Sequence, residues 1–248
     1  MSSNREIDLD KPSKYLREDN PEHSALAEEI ERKHVAITAA KHIVLKGHPL
    51  VVHPGVFSPE FSLIGDLLVE TMDIQSEDVV LDLGTGTGFQ AIVASDRARQ
   101  VLAIDKQPEA AQCARKNVEL NHLEEKIEVR HGDLFSTVAP SETFDVILFN
   151  IPFPPWKPKT PWQEANFDEG HQLLRRFLSQ AKSFLKAGGH IGMTWSDLGD
   201  TSYLHDLLKD EGYSHRILIE RRVKGVGQYV YELKHPASPR EKLTRPVE

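Results

Sequence analysis

The protein has 248 residues, of which 39% are hydrophobic and 27% charged, and its formal net charge is −8. This composition is typical of a globular chain with one sizeable core, and no apolar run approaches the roughly 20 residues that cross a bilayer. The negative charge excludes a general attraction to phosphate backbones, so nucleic acid would have to bind through a local patch. The one cysteine, Cys113, cannot form an internal disulfide, which favours a cytoplasmic protein.

The two ends of the chain differ in composition from its middle. Residues 1–22 are expected to be a flexible polar leader without an apolar signal segment, and residues 235–248, with three prolines, a flexible tail. Between them we expect an N-terminal extension over 23–62 and a main domain over 63–234.

The N-terminal extension combines a helical pattern with a hairpin pattern. Apolar residues at helical spacing predict a helix over 24–41, and two short β-like runs around Lys46-Gly47 predict a hairpin over 43–52. This segment is expected either to cover a binding site or to act as a stabilising cap.

From residue 63 onward, predicted helices and strands alternate. The strands are predicted at 79–83, 101–105, 126–131, 144–149, 190–195, 214–222 and 228–234. The helical segments are predicted at 63–73, 84–97 (a turn and a helix), 108–121, 169–186 and 201–211. Such alternation is typical of an α/β fold with a mostly parallel sheet and helices on both faces, and the last two strands have no helix between them, so they should form an antiparallel hairpin. The sequence therefore predicts a seven-stranded, mostly parallel sheet.

Polar or glycine-rich residues follow the first four strands of this sheet. The first strand ends in "DLGTGTGF" (82–89), the second in Asp105 and the fourth in Asn150, and "GDLF" with Asp133 follows the third. Each of these alone is common turn or cap chemistry. Because ligands of open α/β sheets bind outside the carboxyl ends of the strands, the four together predict a ligand site.

A nicotinamide dinucleotide site is the alternative interpretation of the glycine turn. Residues 86–91 satisfy G-x-G-x-x-A, and Asp105 lies near the distance expected for a ribose contact. However, Asp82 and the additional Gly84 suit a ligand with a charged amino-acid end, about 78 residues precede the first strand, and no Tyr and Lys pair for hydride transfer is found.

Four stretches of the sequence resemble motifs of a known family. "VVLDLGTGTG" (79–88) resembles the first motif of class I S-adenosylmethionine-dependent methyltransferases, which have a Rossmann-like fold, and Asp105 matches their acidic residue after the second strand. "NIPF" (150–153) resembles the N/D-P-P-Y/F signature of amino-methyltransferases, with Ile151 where the family has proline. "HPGVFSP" (53–59) and "FDEG" (167–170) resemble the small-domain methyltransferases, the group of HemK-like glutamine and 16S ribosomal RNA guanine enzymes.

The resemblance implies S-adenosyl-L-methionine as the cofactor and a nitrogen as the methyl acceptor. The cofactor-binding residues it implies are Asp82, Gly84, Thr85, Gly86, Gly88, Phe89, Asp105, Lys106, Asp133, Leu134 and Asn150. The catalytic residues are Asn150, Ile151, Pro152 and Phe153. In this interpretation the Asn150 oxygen and the Ile151 carbonyl accept hydrogen bonds from the N–H groups of the molecule that is methylated. Pro152 stiffens the loop, and Phe153 packs against a planar group.

The loop after this motif is expected to form the acceptor side of the site. Trp156 and Trp162 are expected either to stack on the substrate or to plug the end of the sheet, and Asp168 and Glu169 to cap the helix that follows. The histidines lack zinc-ligand spacing, so no metal is expected. No apolar run is long enough to cross a bilayer, so no membrane is expected either.

The acceptor stays open among several classes. A protein amide, an RNA base and a similar planar amine all fit, with a small-molecule amine or guanidine, or a non-catalytic S-adenosylmethionine-binding partner protein, as alternatives. The patterns do not indicate the number of methyl groups transferred or the oligomeric state.

Overall fold

The computed structural model describes residues 21–236. The leader expected over 1–22 and the tail expected over 235–248 lie outside the described residues, apart from two residues of each.

Seven helices and nine strands make up the described chain. The helices are α1 (Pro21–Val35), α2 (Gly65–Thr71), α3 (Phe89–Ser95), α4 (Pro108–Leu120), α5 (Pro161–Asn166), α6 (Gln172–Ala181) and α7 (Thr201–Asp210). The strands are β1 (Lys41–Leu45), β2 (His48–Val52), β3 (Val79–Leu83), β4 (Gln100–Asp105), β5 (Ile127–His131), β6 (Phe144–Phe149), β7 (Leu185–Ser196), β8 (Ser214–Val223) and β9 (Val226–Lys234). Short 3₁₀ turns lie at Pro59–Phe61 and Glu169–His171.

The main sheet has seven strands in the order β5-β4-β3-β6-β7-β9-β8, and β1 and β2 form a separate hairpin. The five strands β5, β4, β3, β6 and β7 run parallel to one another. Strand β9 pairs antiparallel with both β7 and β8. This arrangement confirms the predicted seven-stranded sheet and its antiparallel C-terminal hairpin. The chain reverses its direction of travel across the sheet between β3 and β6, which is where open α/β sheets place their ligands.

Alternating residues of each central strand supply two separate cores. In β3, Val80 packs in a core with Leu68 of α2, Ile92 of α3 and Val118 of α4. On the other face, the core contains Leu81 and Leu83 of β3 and residues of α6 and α7, among them Leu174, Phe177, Leu204 and Leu208. The near-continuous apolar strands follow from this burial on both faces.

Both the hairpin and the helix of the N-terminal extension pack against the main domain. Asn117 of α4 binds the backbone of β2: its Oδ1 accepts the Val51 N–H at 2.6 Å and its Nδ2 donates to the Val51 carbonyl at 2.8 Å. Helix α1 inserts Leu26 into a small core with Leu198 and Val226.

Three boundaries differ from the prediction for identifiable reasons. The helix expected over 24–41 ends at Val35, because Lys41 is already paired with Val52 in the hairpin. The helix expected over 169–186 is shortened to α6, since Gly170 and His171 adopt left-handed φ values of 60° and 57°. Strand β7 begins at Leu185 rather than at residue 190, with a register shift against β6 that absorbs the additional residues.

Within residues 21–236, no helix is long and apolar enough to cross a membrane.

Candidate functional site

A cavity of about 650 Å³ lies at the carboxyl ends of the central strands. One side is lined by the glycine turn after β3 and by the ends of β4 and β6, and the opposite side by residues of α1, the 53–64 segment and α5. The predicted strand-end residues therefore meet at one rim, together with segments that lie far from them in the sequence.

The glycine turn approaches its neighbours too closely for side chains. A Cβ on Gly84 would lie 3.0 Å from the Phe149 ring, and one on Gly88 would lie 3.3 Å from Ala114 of α4. Both glycines have positive φ, 61° and 81°, which other residues rarely adopt. The turn thus presents backbone to the cavity, and a ligand can approach it closely.

Asp82 lies beneath this turn and is only 1% exposed. Its Oδ2 accepts the hydroxyl of Thr85 at 2.5 Å. Burial, more than the neighbouring Asp105, raises the pKa of Asp82 to about 7. Thr85 lines the cavity and Asp82 does not, so Asp82 acts on the cavity through the turn that it supports.

Asp105 lies at the cavity wall with both carboxylate oxygens fixed by backbone. Its Oδ2 accepts the Gly86 N–H and its Oδ1 the Gln107 N–H, each at 2.8 Å. Burial raises the pKa of this carboxyl. Each oxygen retains a further lone pair, so the group can still accept two hydroxyl protons from a ligand.

Asp133 and Leu134 form the next part of the wall, with Lys106 and Phe89 also lining the cavity. The Asp133 Oδ2 lies 2.6 Å from a guanidinium nitrogen of Arg176. Sequence reasoning missed Arg176, because nothing in the pattern of α6 distinguishes it from a solvent-exposed arginine.

Asn150 lies between β7 and α2 at the end of β6. Its Oδ1 accepts the hydroxyl proton of Thr194 at 2.8 Å. On the other side, a Cβ on Gly65 would lie 3.0 Å from both Cγ and Nδ2 of Asn150. The amide is thus enclosed between two elements, and it lines the cavity.

The three residues after Asn150, Ile151, Pro152 and Phe153, all line the cavity. Ile151 also belongs to the core and is 1% exposed, whereas Pro152 and Phe153 are half-buried. The Phe153 ring packs edge-on to Trp195, with 6.4 Å between centroids.

Helix α5, which the sequence reasoning did not predict, forms the roof of the cavity. Thr160 caps it by accepting the Gln163 N–H at 3.2 Å, and Pro161 is its first residue. The Thr-Pro pair followed by Gln163 is a start signal that was available in the sequence. The loop that was expected to form the acceptor side of the site is thus partly helical.

Helix α1 contacts the start of helix α5. The two carboxylate oxygens of Glu31 accept hydrogen bonds from the Thr160 hydroxyl at 2.6 Å and from the Gln163 amide at 2.5 Å. His34, 2% exposed, packs its ring 5.2 Å from that of Trp162. Burial lowers the pKa of His34, so the imidazole is neutral in this packing.

The two tryptophans of the loop lie in different surroundings. Trp162 lines the cavity. Trp156 does not: it packs edge-on to Phe167, 5.8 Å between centroids, and against the small core of Leu26 and Leu198.

Asp168 caps α6, as its position predicted. Its oxygens accept the Leu173 N–H at 2.7 Å and the Leu174 N–H at 2.9 Å, and burial raises its pKa to about 6. Glu169 is exposed. No group of three or more His, Cys, Asp or Glu side chains within the described part of the chain is arranged to hold a metal ion.

Comparison with known proteins gives a consistent picture. The family model described as "Methyltransferase small domain" matches residues 47–211. A protein of Methanocaldococcus jannaschii named "Putative protein N5-glutamine methyltransferase" is 32% identical over 193 residues, which are 73% of this chain and 92% of that protein. A release factor glutamine methyltransferase of Koribacter versatilis is 29% identical over 68% of this chain and 65% of that protein.

A solved structure shares the fold at lower identity. The 16S rRNA N2 methyltransferase of T. thermophilus, in complex with AdoMet and guanosine, is 20% identical and superposes with a TM-score of 0.60 over 79% of this chain and 50% of that one.

Proposed function

The chain belongs to the methyltransferase small domain family, and from this premise we propose that it methylates a side-chain amide nitrogen of a protein. It is an S-adenosylmethionine-dependent methyltransferase that acts on nitrogen. The observation that carries the choice of acceptor is the Asn150 amide, which lines the cavity beside the cofactor-binding turn.

The strand-end residues fit the cofactor. S-adenosylmethionine supplies an electrophilic methyl group on a positively charged sulfur. The Asp105 oxygens would accept the ribose hydroxyls, the backbone of the glycine turn would hold the amino-acid end, and Asp133 with Leu134 would hold the adenine. A Cβ on Gly84 would lie 3.0 Å from the Phe149 ring, so glycine is needed for the turn conformation that presents its backbone to the ligand, which supports this assignment.

An amide nitrogen must be prepared for attack, because its lone pair is delocalised into the carbonyl. The Asn150 Oδ1 and the Ile151 carbonyl oxygen accept hydrogen bonds from the two N–H groups of the substrate amide. These two hydrogen bonds turn the lone pair of the amide nitrogen toward the methyl group. The nitrogen would then take the methyl group that S-adenosylmethionine supplies, with S-adenosylhomocysteine as the leaving group, and the proton of the nitrogen would pass to solvent. Phe153 packs on the flat face of the amide.

The charge of the cavity supports a protein acceptor over a nucleic acid. Six carboxylates and two basic side chains line it: Asp105, Glu109, Asp133, Glu164, Asp168 and Glu169 against Lys106 and Arg176. Arg176 is paired with Asp133, so little positive charge is available for phosphates. The M. jannaschii relative, which this chain covers over 92% of its length, is named for protein glutamine.

Methyl-labelled S-adenosylmethionine added with the enzyme to a host extract tests the proposal. We expect the label in the protein fraction, sensitive to protease and resistant to ribonuclease, and recovered as an N-methyl amide after proteolytic digestion. Enzyme carrying Asn150→Ala is the matched control and should label the fraction about 100-fold more slowly. Label in RNA or in small molecules would contradict the protein acceptor.

A further inference from the structure

We propose that Thr194 is a positioning residue, which fixes the orientation of the Asn150 amide so that its oxygen serves the acceptor. This inference rests on the proposed function, because it concerns the same site. Its basis is a contact between two strand ends that no motif of the sequence marks.

The sheet register makes Thr194 and Asn150 neighbours. Phe149 of β6 pairs with Met193 of β7 in parallel register, so the next residues along the two strands are Asn150 and Thr194. Side chains at matching positions of adjacent parallel strands point to the same face. Both side chains therefore point to the face covered by α2.

The Thr194 hydroxyl is a buried donor, and among the described residues it donates to one acceptor. Thr194 is 0% exposed, and its hydroxyl donates to the Asn150 Oδ1 at 2.8 Å. If the amide turned over, its NH₂ group would face the hydroxyl, and the buried hydroxyl proton would lose this acceptor. Leaving a buried donor unpaired is costly, so the hydroxyl favours one of the two amide orientations.

Gly65 closes the other side of the amide. The position of a Gly65 Cβ lies 3.0 Å from Asn150 Nδ2, so the amide nitrogen packs against the backbone at the start of α2. The oxygen keeps a second lone pair beyond the one that Thr194 uses. That lone pair is the one available to an N–H of the acceptor.

Thr194→Val keeps the shape of the side chain and removes the donor. With the protein fraction of the extract as acceptor, we expect label transfer to slow by about tenfold, since the oxygen is then held less well. Thr194→Ser, which restores the hydroxyl, should recover the rate to within about threefold. In the Asn150→Ala background, Thr194→Val should cause almost no further loss, because the group that it orients is absent.

Two controls separate positioning from a merely structural effect. Thr71→Val removes a hydroxyl that binds only carbonyls of its own helix, Leu67 and Leu68, and should leave transfer unchanged. Cofactor affinity and the melting temperature should stay close to wild type in Thr194→Ser, so the comparison holds even if Thr194→Val folds less well.

The amide orientation can also be measured without turnover. In NMR spectra, the Asn150 side-chain amide protons, identified by their absence in Asn150→Ala, should show a strong nuclear Overhauser effect to the Gly65 α-protons. Thr194→Val should weaken or average this Overhauser effect, and Thr194→Ser should keep it.

The outcomes distinguish this inference from the proposed function. Label in RNA, together with a weakened Overhauser effect in Thr194→Val, would overturn the protein acceptor and support the positioning role. Wild-type transfer rates in Thr194→Val, or an unchanged Overhauser effect, would overturn the role of Thr194. Additive losses in the double variant would overturn it as well.

Discussion

The carboxylate of Asp105 binds the backbone of Gly86: its Oδ2 accepts the Gly86 N–H at 2.8 Å across 19 positions of sequence. The end of β4 thereby fixes the turn that follows β3. A single side chain therefore fixes the shape of the glycine turn and, in the proposed function, also contacts the ribose.

We therefore expect Asp105→Ala to weaken S-adenosylmethionine binding by about 1–3 kcal/mol, through loss of charge-assisted hydrogen bonds. Calorimetric titration measures this affinity, and nicotinamide dinucleotides should not bind. Asp210→Ala, which removes an exposed carboxylate at the end of α7, is the control and should bind the cofactor as wild type does. Unchanged affinity in Asp105→Ala would remove this residue from the site.

Asn150→Ala should slow single-turnover methyl transfer by about 100-fold or more, because a misplaced nucleophile loses most of its orientation effect. Cofactor affinity should change far less, because we propose that the glycine turn and Asp105 provide most of that binding. Asn150→Asp keeps an acceptor oxygen and should retain more activity than alanine. The control is Asn121→Ala, at the end of α4. An unaffected chemical step in Asn150→Ala would contradict the role of this amide.

Glu31→Ala should raise the acceptor concentration needed for half-maximal transfer while leaving cofactor affinity unchanged. The substitution removes the hydrogen bonds to Thr160 and Gln163 that hold the roof helix α5. Initial rates against dilutions of the protein fraction measure the effect. Glu28→Ala, three residues earlier on the exposed surface of α1, is the matched control. Equal curves for both variants would show that the α1 contact does not shape the acceptor side.

Asp82→Asn should stabilise the protein relative to wild type at pH 8.5 and less so at pH 5. Burial raises the pKa of Asp82 from 3.8 to about 7, so the folded state holds a proton that the unfolded state has released. The stability that this group contributes is present at low pH and is lost as the pH rises through 7, whereas asparagine does not titrate. Urea unfolding at the two pH values should show the variant gaining at least about 1 kcal/mol over wild type between them. A pH-independent difference would contradict the raised pKa.

Titration of His171 should make the protein less stable as the pH falls, opposite to the effect of Asp82. Burial lowers its pKa from 6.5 to about 4, so protons bind the unfolded state first and stability falls as the pH drops from about 6.5 to 4. His171→Asn tolerates the left-handed backbone but lacks the titrating group. We expect it to be less stable than wild type at pH 7.5, with the gap narrowing by up to about 2 kcal/mol at pH 4.5. A gap that stays constant in urea unfolding would show that His171 is not protonated on unfolding.

The sequence predicted well which strand-end residues lie together at the cavity, because these residues are local in the sequence. The glycine turn, Asp105, Asp133 and Asn150 all follow strands whose burial on both faces produces clear apolar runs, and the parallel order of those strands brings their ends to one rim.

The acceptor side was predicted less well, because its contacts depend on chain folding over long distances. Glu31 and Gln163 are 132 positions apart, and Thr194 reaches Asn150 only through the register of β6 and β7. Neither periodicity nor a motif reports such pairs. Helix α5 is the exception, since its Thr160-Pro161 start could have been recognised.

The cavity is modular in its construction. Its strand-end residues come from one continuous stretch between β3 and the end of β6, whereas the rest of the lining draws on α1, the 53–64 segment, α5 and Leu198. Substitutions in those distant segments can therefore reshape part of the cavity while the strand-end residues, which we propose hold the methyl donor, keep their places.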